Sequence, residues 1–371
     1  MELSQYGWPM AAFAAGVAGW FFAVLVVLTK PLHGRYSMPH TSAVQNAHTE
    51  PTPRIGGVAV FCSVCLGMWL ASGESHHLLS SIVLAGASAF AFGLLEDLTH
   101  RVSVSSRLFA TLGSGLVGWF ITGIAITDVN LPGIDTLLQW APVAVLFTAF
   151  AVGGLANAFN IIDGFNGLAS GTALIVLTAM GLISLQLGDV QLSHVCLILA
   201  TSVMGFLLVN WPFGKLFLGD GGAYFIGFAI AWVAVLLLHR HAEVSAWCPL
   251  LICAYAVLEV LFTVLRRRHH SSHLGHPDRL HLHSLVKRRI VRQLFPSMHA
   301  TLRNSLTGAL LWLMSLLPAV WGVWHHNNTP LLAVGLVVFA LAYQLLYLRL
   351  VRFGWNWHQR PHPAPVLSSS K

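Results

Sequence analysis

Asn157-Ala-Phe-Asn160-Ile-Ile-Asp163-Gly-Phe-Asn166-Gly-Leu168 crowds three amides, one carboxylate and two glycines into twelve residues between two long apolar runs. Polar and ionisable groups are expensive beside hydrocarbon, so at a membrane boundary they are candidate functional groups by default. The glycines permit a turn in which backbone comes close to a ligand. Alone, the stretch reads more readily as a polar turn joining two membrane helices. Its weight comes from further polar islands at other boundaries, all on one side.

Glu96 and Asp97 end one apolar run. A helix C-terminus already carries partial negative charge, so adjacent acids there need an offsetting cation: a metal ion, Arg107, or both. In Phe217-Leu-Gly219-Asp220-Gly221-Gly222 a carboxylate stands between glycines just before the next apolar run, where a metal can approach with little crowding. Gly221 and Gly222 would offer backbone N–H groups to phosphate. A long basic loop from about 266 to 304 contains His276-Pro277-Asp278-Arg279-Leu-His281-Leu-His283-Ser284. Its histidines lack cysteine partners and finger spacing, which argues against zinc. Arg279, His281 and His283 suit gripping phosphate with charge-assisted donors. Pro51-Thr-Pro53-Arg54-Ile-Gly56-Gly57 is an extended, proline-stiffened lead into a helix, with Arg54 either a headgroup anchor or a substrate contact. Glu259, inside an apolar run, is either a buried functional carboxylate or a helix-packing partner.

The elements that position these groups are membrane helices. The 371 residues are 56% hydrophobic and 9% charged, far from the roughly 25% charge of soluble domains. Runs of about 20 apolar residues predict an all-α polytopic bundle of eleven spans. They cover about 8–29, 55–72, 78–95, 108–127, 139–159, 167–186, 193–210, 223–239, 247–265, 305–324 and 330–348. With the N-terminus outside and the C-terminus inside, nineteen of the 20 Lys and Arg residues fall on the inner side and only Arg240 outside. The first span lacks the basic flank and cleavage site of a signal peptide. The net charge of +7 fits an anionic leaflet and phosphate ligands rather than nucleic acid. The five cysteines imply no disulfide framework. Residues 1–350 read as one integral membrane domain and 351–371 as a disordered cytoplasmic tail rich in Pro and Ser.

From about His48 to Ser284, the ordered set of motifs resembles the polyprenyl-phosphate N-acetylhexosamine-1-phosphate transferases. The set comprises P-T-P-R-x-G-G, an acid pair, N-x-x-N-x-x-D-G-x-x-G-L, F-x-G-D-x-G and P-D-R-x-H-x-H. The likeness is greater to the branch that starts O-antigen, common-antigen or teichoic-acid-linker synthesis than to the muramoyl-pentapeptide branch. Two positions depart from the family pattern: Glu96 replaces the usual first Asp, and Ser284 the usual last His. The resemblance implies a magnesium-dependent transfer, manganese substituting, of N-acetylhexosamine 1-phosphate from a UDP-sugar to undecaprenyl phosphate. It also implies a cytoplasm-facing site in the bacterial inner membrane, with membrane lipids and a second copy of the chain as partners. Asp220 and Asn160 match metal-site positions, Phe217 the aromatic that stacks on uracil, and Asp163 a place in the nucleotide pocket. Asn157 and Arg54 fall among the substrate contacts, Arg107 matches the cation after the acid pair, and Arg279, His281 and His283 match the loop that grips the diphosphate. Glu96 and Asp97 would orient or deprotonate the lipid phosphate. The rival reading is a transporter or lipid flippase, which would favour acids within spans and access from both faces. No motif selects the sugar.

Overall fold

A computed structural model describes residues 7–37, 52–269 and 280–352; among them every regular element is helical and no strand occurs. The first helices are α1 (Gly7–Leu28), α2 (Lys30–Ser37), α3 (Gly56–Leu70), α4 (Gly73–Thr99), α5 (Val104–Thr122) and α6 (Pro132–Leu138). Then come α7 (Ala141–Ile162), α8 (Leu168–Gln186), α9 (Val190–Asn210), α10 (Gly219–Arg240), α11 (Trp247–Ile252) and α12 (Ala254–His269). After α13 (Leu282–Val286) a π-helical turn (Lys287–Val291) leads through α14 (Arg292–Leu294) to α15 (Ala300–Trp324) and α16 (Thr329–Val351). Nine of the described helices are long and apolar enough to cross a membrane, so the chain is a multi-pass membrane protein. Two expected spans differ in form. The one at 55–72 is the shorter α3, 15 residues long. The one at 247–265 is broken at Cys253 into α11 and α12.

The bundle is organised around α10. Its apolar stretch is 89% enclosed, against 11% for α16, which lies at the rim. Helices α3, α4, α5, α7, α8 and α9 all pack on α10. Lipid tails provide no hydrophobic drive between helices, so close packing of small residues has to supply the attraction. Gly93 of α4 lies so close to Gly221 that a methyl group at 93 would stand 2.5 Å from the Gly221 nitrogen.

Local signals set some of the helix starts. Ser103 accepts a hydrogen bond from the Ser106 amide (3.0 Å) at the head of α5, and Asp189 one from the Leu192 amide (3.0 Å) at the head of α9. Helix α10 has no such cap from its own flank, since its N-cap position is Leu218. Its first turn is satisfied from another helix, and the site is built there.

Candidate active site

Gly219 takes φ +77°, where a side chain would collide with the Arg54 carbonyl and the Asp97 carboxylate. That backbone turns Asp220 and Gly221 toward the end of α4. Asp97 accepts hydrogen bonds from the Asp220 and Gly221 amides, both at 2.9 Å, one on each carboxylate oxygen. An acid at the C-terminal end of α4 is thus answered by the positive N-terminus of α10. The charge meeting Asp97 is therefore not first of all a cation, as its position at a helix end suggested. The Gly221 amide, expected to face phosphate, is already committed to this bond. Glu96 turns away and accepts from the Val102 amide at 2.8 Å, closing the α4–α5 loop.

The Asp220 carboxylate, on a residue 8% exposed, is ringed by donors from three other segments. Arg107 of α5 pairs with Oδ2. Asn160 of α7 donates to Oδ1 at 3.0 Å. Arg54 stands 3.6 Å from the same oxygen. Arg107 thus pairs directly with Asp220 and lies within the electrostatic reach of Glu96 of the acid pair. Its Nε is buried with no hydrogen-bond partner among the described residues, so the guanidinium has donor capacity to spare. Asp220 and Asn160 present hard oxygen atoms, and Arg107 already supplies the positive charge this carboxylate demands. Among the described residues no three His, Cys, Asp or Glu side chains converge on one point. That donor set fits Mg²⁺, which typically takes one or two carboxylates and completes its shell with water and substrate phosphate.

The turn after α7 carries Asp163, half-buried. Loss of hydration pushes its carboxyl up to about 7, with Asp220 adding to the shift and Arg54 and the Gly219 amide opposing it. The turn is braced from α9: Asn210 accepts from the Gly167 amide (2.6 Å) and donates to the Leu216 carbonyl (2.7 Å). Asn166 donates to Ser305 of α15 at 3.0 Å. Asn157 lies in the seam between α5 and α7, donating to Thr111 (2.9 Å) and to the Gly153 carbonyl (2.8 Å). The amide nitrogen of Asn157 is thus tied into this seam.

Phe217 is fixed by backbone pairing. Its amide donates to the Pro53 carbonyl (2.9 Å), and its carbonyl accepts from the Gly56 amide (2.8 Å). The Gly57 amide completes the ladder on Leu218 at 2.7 Å. The proline-stiffened segment is therefore a clamp on the loop that carries Phe217 and Asp220, and it delivers Arg54 to the carboxylate.

On the far side of the 163–167 turn, the His283 ring packs on Phe165 with centroids 5.0 Å apart, and His281 stacks on His283 at 5.1 Å. His281 Nδ1 lies 3.0 Å from Glu259. Arg279, the rest of the 270–279 run and the tail from 353 lie outside the described residues. Sequence reasoning passed over Lys287. Its ammonium sits 5.2 Å above the Phe165 ring and donates to Asn304 at 3.2 Å. Burial, then Arg303, lowers its pKa below the ordinary lysine range. The signal available was spacing: Lys287 follows His283 by one helical turn.

Away from the charges, a cavity of about 490 Å³ opens between α7 and the α10–α12 side of the bundle, with an almost wholly apolar lining that includes Phe150, Leu155, Ala158, Val257 and Leu261. Along α7 it runs from Phe147 to Ala158, a rise of about 16 Å at 1.5 Å per residue. It stops short of Asn160 and Asp163. An apolar trough of this length is shaped for a hydrocarbon chain.

Comparison with known proteins covers the same part of the chain. The family model for glycosyl transferase family 4 matches residues 78–238, from α4 through α10. A Bacillus subtilis protein named "Probable undecaprenyl-phosphate N-acetylglucosaminyl 1-phosphate transferase" is 28% identical over 241 residues, 64% of this chain and 66% of that protein. Undecaprenyl-phosphate alpha-N-acetylglucosaminyl 1-phosphate transferases of Yersinia pestis and Escherichia coli K12 are 28% and 26% identical, each over 83% of this chain and 82% of their own length. The acid pair, the Asn157–Leu168 turn and the Asp220 loop all lie within the matched segment, so the part of the chain that builds the site is similar to glycosyl transferase family 4.

Proposed function

We propose that this protein transfers N-acetylhexosamine 1-phosphate from a UDP-sugar to undecaprenyl phosphate, releasing UMP and starting a cell-surface polysaccharide of the O-antigen type. An oxygen of the lipid phosphate attacks the sugar-linked phosphorus. The bond from that phosphorus to the UMP oxygen breaks, and the anomeric C–O bond stays intact. The observation that carries this reading is the Asp220 carboxylate held among Arg107, Arg54 and Asn160 at the meeting of four segments.

Two anions must come together, so positioning and charge compensation are the main needs. Arg107, with its unpartnered Nε, and Arg54 draw the phosphates in. Phe217 stacks on the uracil, Asp163 borders the nucleotide, and Arg279, His281 and His283 grip the diphosphate. Asp220 and Asn160 would hold Mg²⁺, or Mn²⁺ in its place; when bound, the ion would neutralise charge on the phosphate oxygens. Asp97 acts by building the turn that carries Asp220. The lipid phosphate, with a second pKa near 6, is largely dianionic at neutral pH and needs no strong base. The apolar cavity beside α7 supports a polyprenyl acceptor. In this reading eleven spans cross the bacterial inner membrane with the N-terminus outside and the site on the cytoplasmic side. The transporter alternative is not favoured, because the polar groups gather at one end of the bundle and pair with one another at the other.

A radiolabel-transfer assay with undecaprenyl phosphate and a panel of UDP-sugars tests the proposal. Lipid-extractable product with at least one UDP-N-acetylhexosamine, abolished by omitting the acceptor, is expected. No product across the panel, from folded protein with magnesium present, would refute it.

A further inference from the structure

Glu259 lies outside the 78–238 core, on α12, and is 1% exposed. One of its oxygens accepts from the Leu282 amide and faces His281 Nδ1, both at 3.0 Å. The other accepts from the Tyr343 hydroxyl of α16 at 2.8 Å. An ionised carboxylate only accepts hydrogen bonds, so Nδ1 must be the nitrogen that carries the proton, and Nε2 is left for an outside partner. Layered outward from Glu259 come His281, then His283 stacked on it, then Phe165 next to the Asp163 turn. A second tie lies alongside: Arg266 donates to the Leu280 carbonyl (3.1 Å) and to the Tyr347 hydroxyl (2.8 Å). The last helix thus reaches the head of the histidine segment at two points, through side chains rather than lipid contact.

We propose that Glu259 is a positioning residue that fixes the tautomer and orientation of His281, so that Nε2 is the nitrogen presented to the substrate phosphates. This rests on the transferase reading for the identity of the ligand, but not for the tautomer. The arrangement is that of an orienting carboxylate behind a working imidazole. With both nitrogens protonated, the ring donates from Nε2 to an anion.

The groups facing His281 are Glu259 and Thr263 from α12, His283 from its own segment, and Tyr343 of α16 acting through Glu259; Tyr255 lies one turn before Glu259. Glu259→Gln keeps an acceptor for Nδ1 and removes the charge. The experiment is ¹⁵N-histidine NMR of the full chain in nanodiscs, with His281 assigned by its loss in His281→Gln, paired with kcat/KM. Neutral His281 in the unaltered protein is expected as the Nδ1–H tautomer, and Glu259→Gln should keep it. In Glu259→Leu, which leaves Nδ1 without that acceptor, the Nε2–H tautomer should appear and kcat/KM should fall at least about tenfold. Tyr343→Phe, which leaves the carboxylate in place, should keep the Nδ1–H tautomer. An Nε2–H tautomer in the unaltered protein would overturn the proposal, and it decides the matter even if Glu259→Leu fails to insert. So would a Glu259→Leu protein that keeps the Nδ1–H tautomer. A chain inactive with every UDP-sugar whose His281 still shows the Nδ1–H tautomer would refute the transferase reading and uphold the positioning role.

Discussion

One helix carries the two polar ends of this molecule, and they are inverted copies of each other. At the N-terminus of α10 a single carboxylate, Asp220, is surrounded by Arg107, Arg54 and Asn160. At its C-terminus a single guanidinium, Arg240, is surrounded by Asp189 and Glu74, each with a contact of 2.5 Å. Both charges sit favourably on the helix dipole, so the dipole does not distinguish the ends. The partners do. Asp189 also caps α9 and lies 3.0 Å from His241, so the Arg240 cluster ties α4, α9 and α10 together and satisfies its own groups. The Asp220 cluster ties as many helices but retains donors, the buried Nε of Arg107 among them. A closed network holds a bundle together; an open one also binds.

The largest effect should follow from Asp220→Asn, which keeps volume and removes charge. Turnover should drop at least about a thousandfold while the protein still inserts, as transfer kinetics and gel filtration would show; near-normal turnover would erase the functional difference between the ends. Phe217→Ala should act on UDP-sugar affinity instead, raising KM by roughly tenfold to a hundredfold, as expected for a lost base stack of about 1–3 kcal/mol. Arg240→Gln should leave turnover within about twofold, yet destabilise by roughly 2 kcal/mol because the buried Asp189 loses its main partner; thermal melts in nanodiscs would detect it.

The smallest effect, and the sharpest contrast, concerns pH. Although burial alone would raise it, the Asp189 carboxyl is held below its usual range by Arg240, the Leu192 amide and His241. The stability it confers is present above about pH 4, the unfolded value, and is lost as pH falls through the lower folded value. Asp163 has the opposite sign. Burial raises it to about 7, so it lowers stability progressively from about pH 4 to 7 and fully above that. Asp163→Asn should therefore raise the ligand-free Tm by about 2–4 °C at pH 8 and by less at pH 5. Asp189→Asn should lower Tm at pH 7 and converge on the unaltered protein in acid. Equal signs for the two variants would contradict the division between the ends.

Helix class, approximate spans and the residues grouped at Asp220 were legible because membrane helices and boundary polar groups announce themselves locally. Asn160, Arg107 and Arg54 come from distant segments, yet each lay in a polar island at a helix end. What was not legible was which charge meets which. Asp97 was read as needing a cation, but α10 lacks a cap of its own and offers two amides instead. Asn157 has the same local pattern as Asn160, yet its amide nitrogen meets Thr111 while that of Asn160 meets Asp220; three residues of helix turn a side chain by most of a revolution, and only packing decides which one meets Asp220. Glu259 could not be separated from a packing residue until Tyr343, 84 positions later, was seen to hold its second oxygen.

The most direct measurement uses UDP-N-acetylhexosamine labelled with ³²P at the β-phosphate, undecaprenyl phosphate and the full chain in nanodiscs. The expected result is label moving into the lipid phase together with the sugar, unlabelled UMP released in equal amount, and neither seen with Asp220→Asn. Label remaining in the aqueous phase as UDP while the sugar alone enters lipid would contradict phosphosugar transfer at this site.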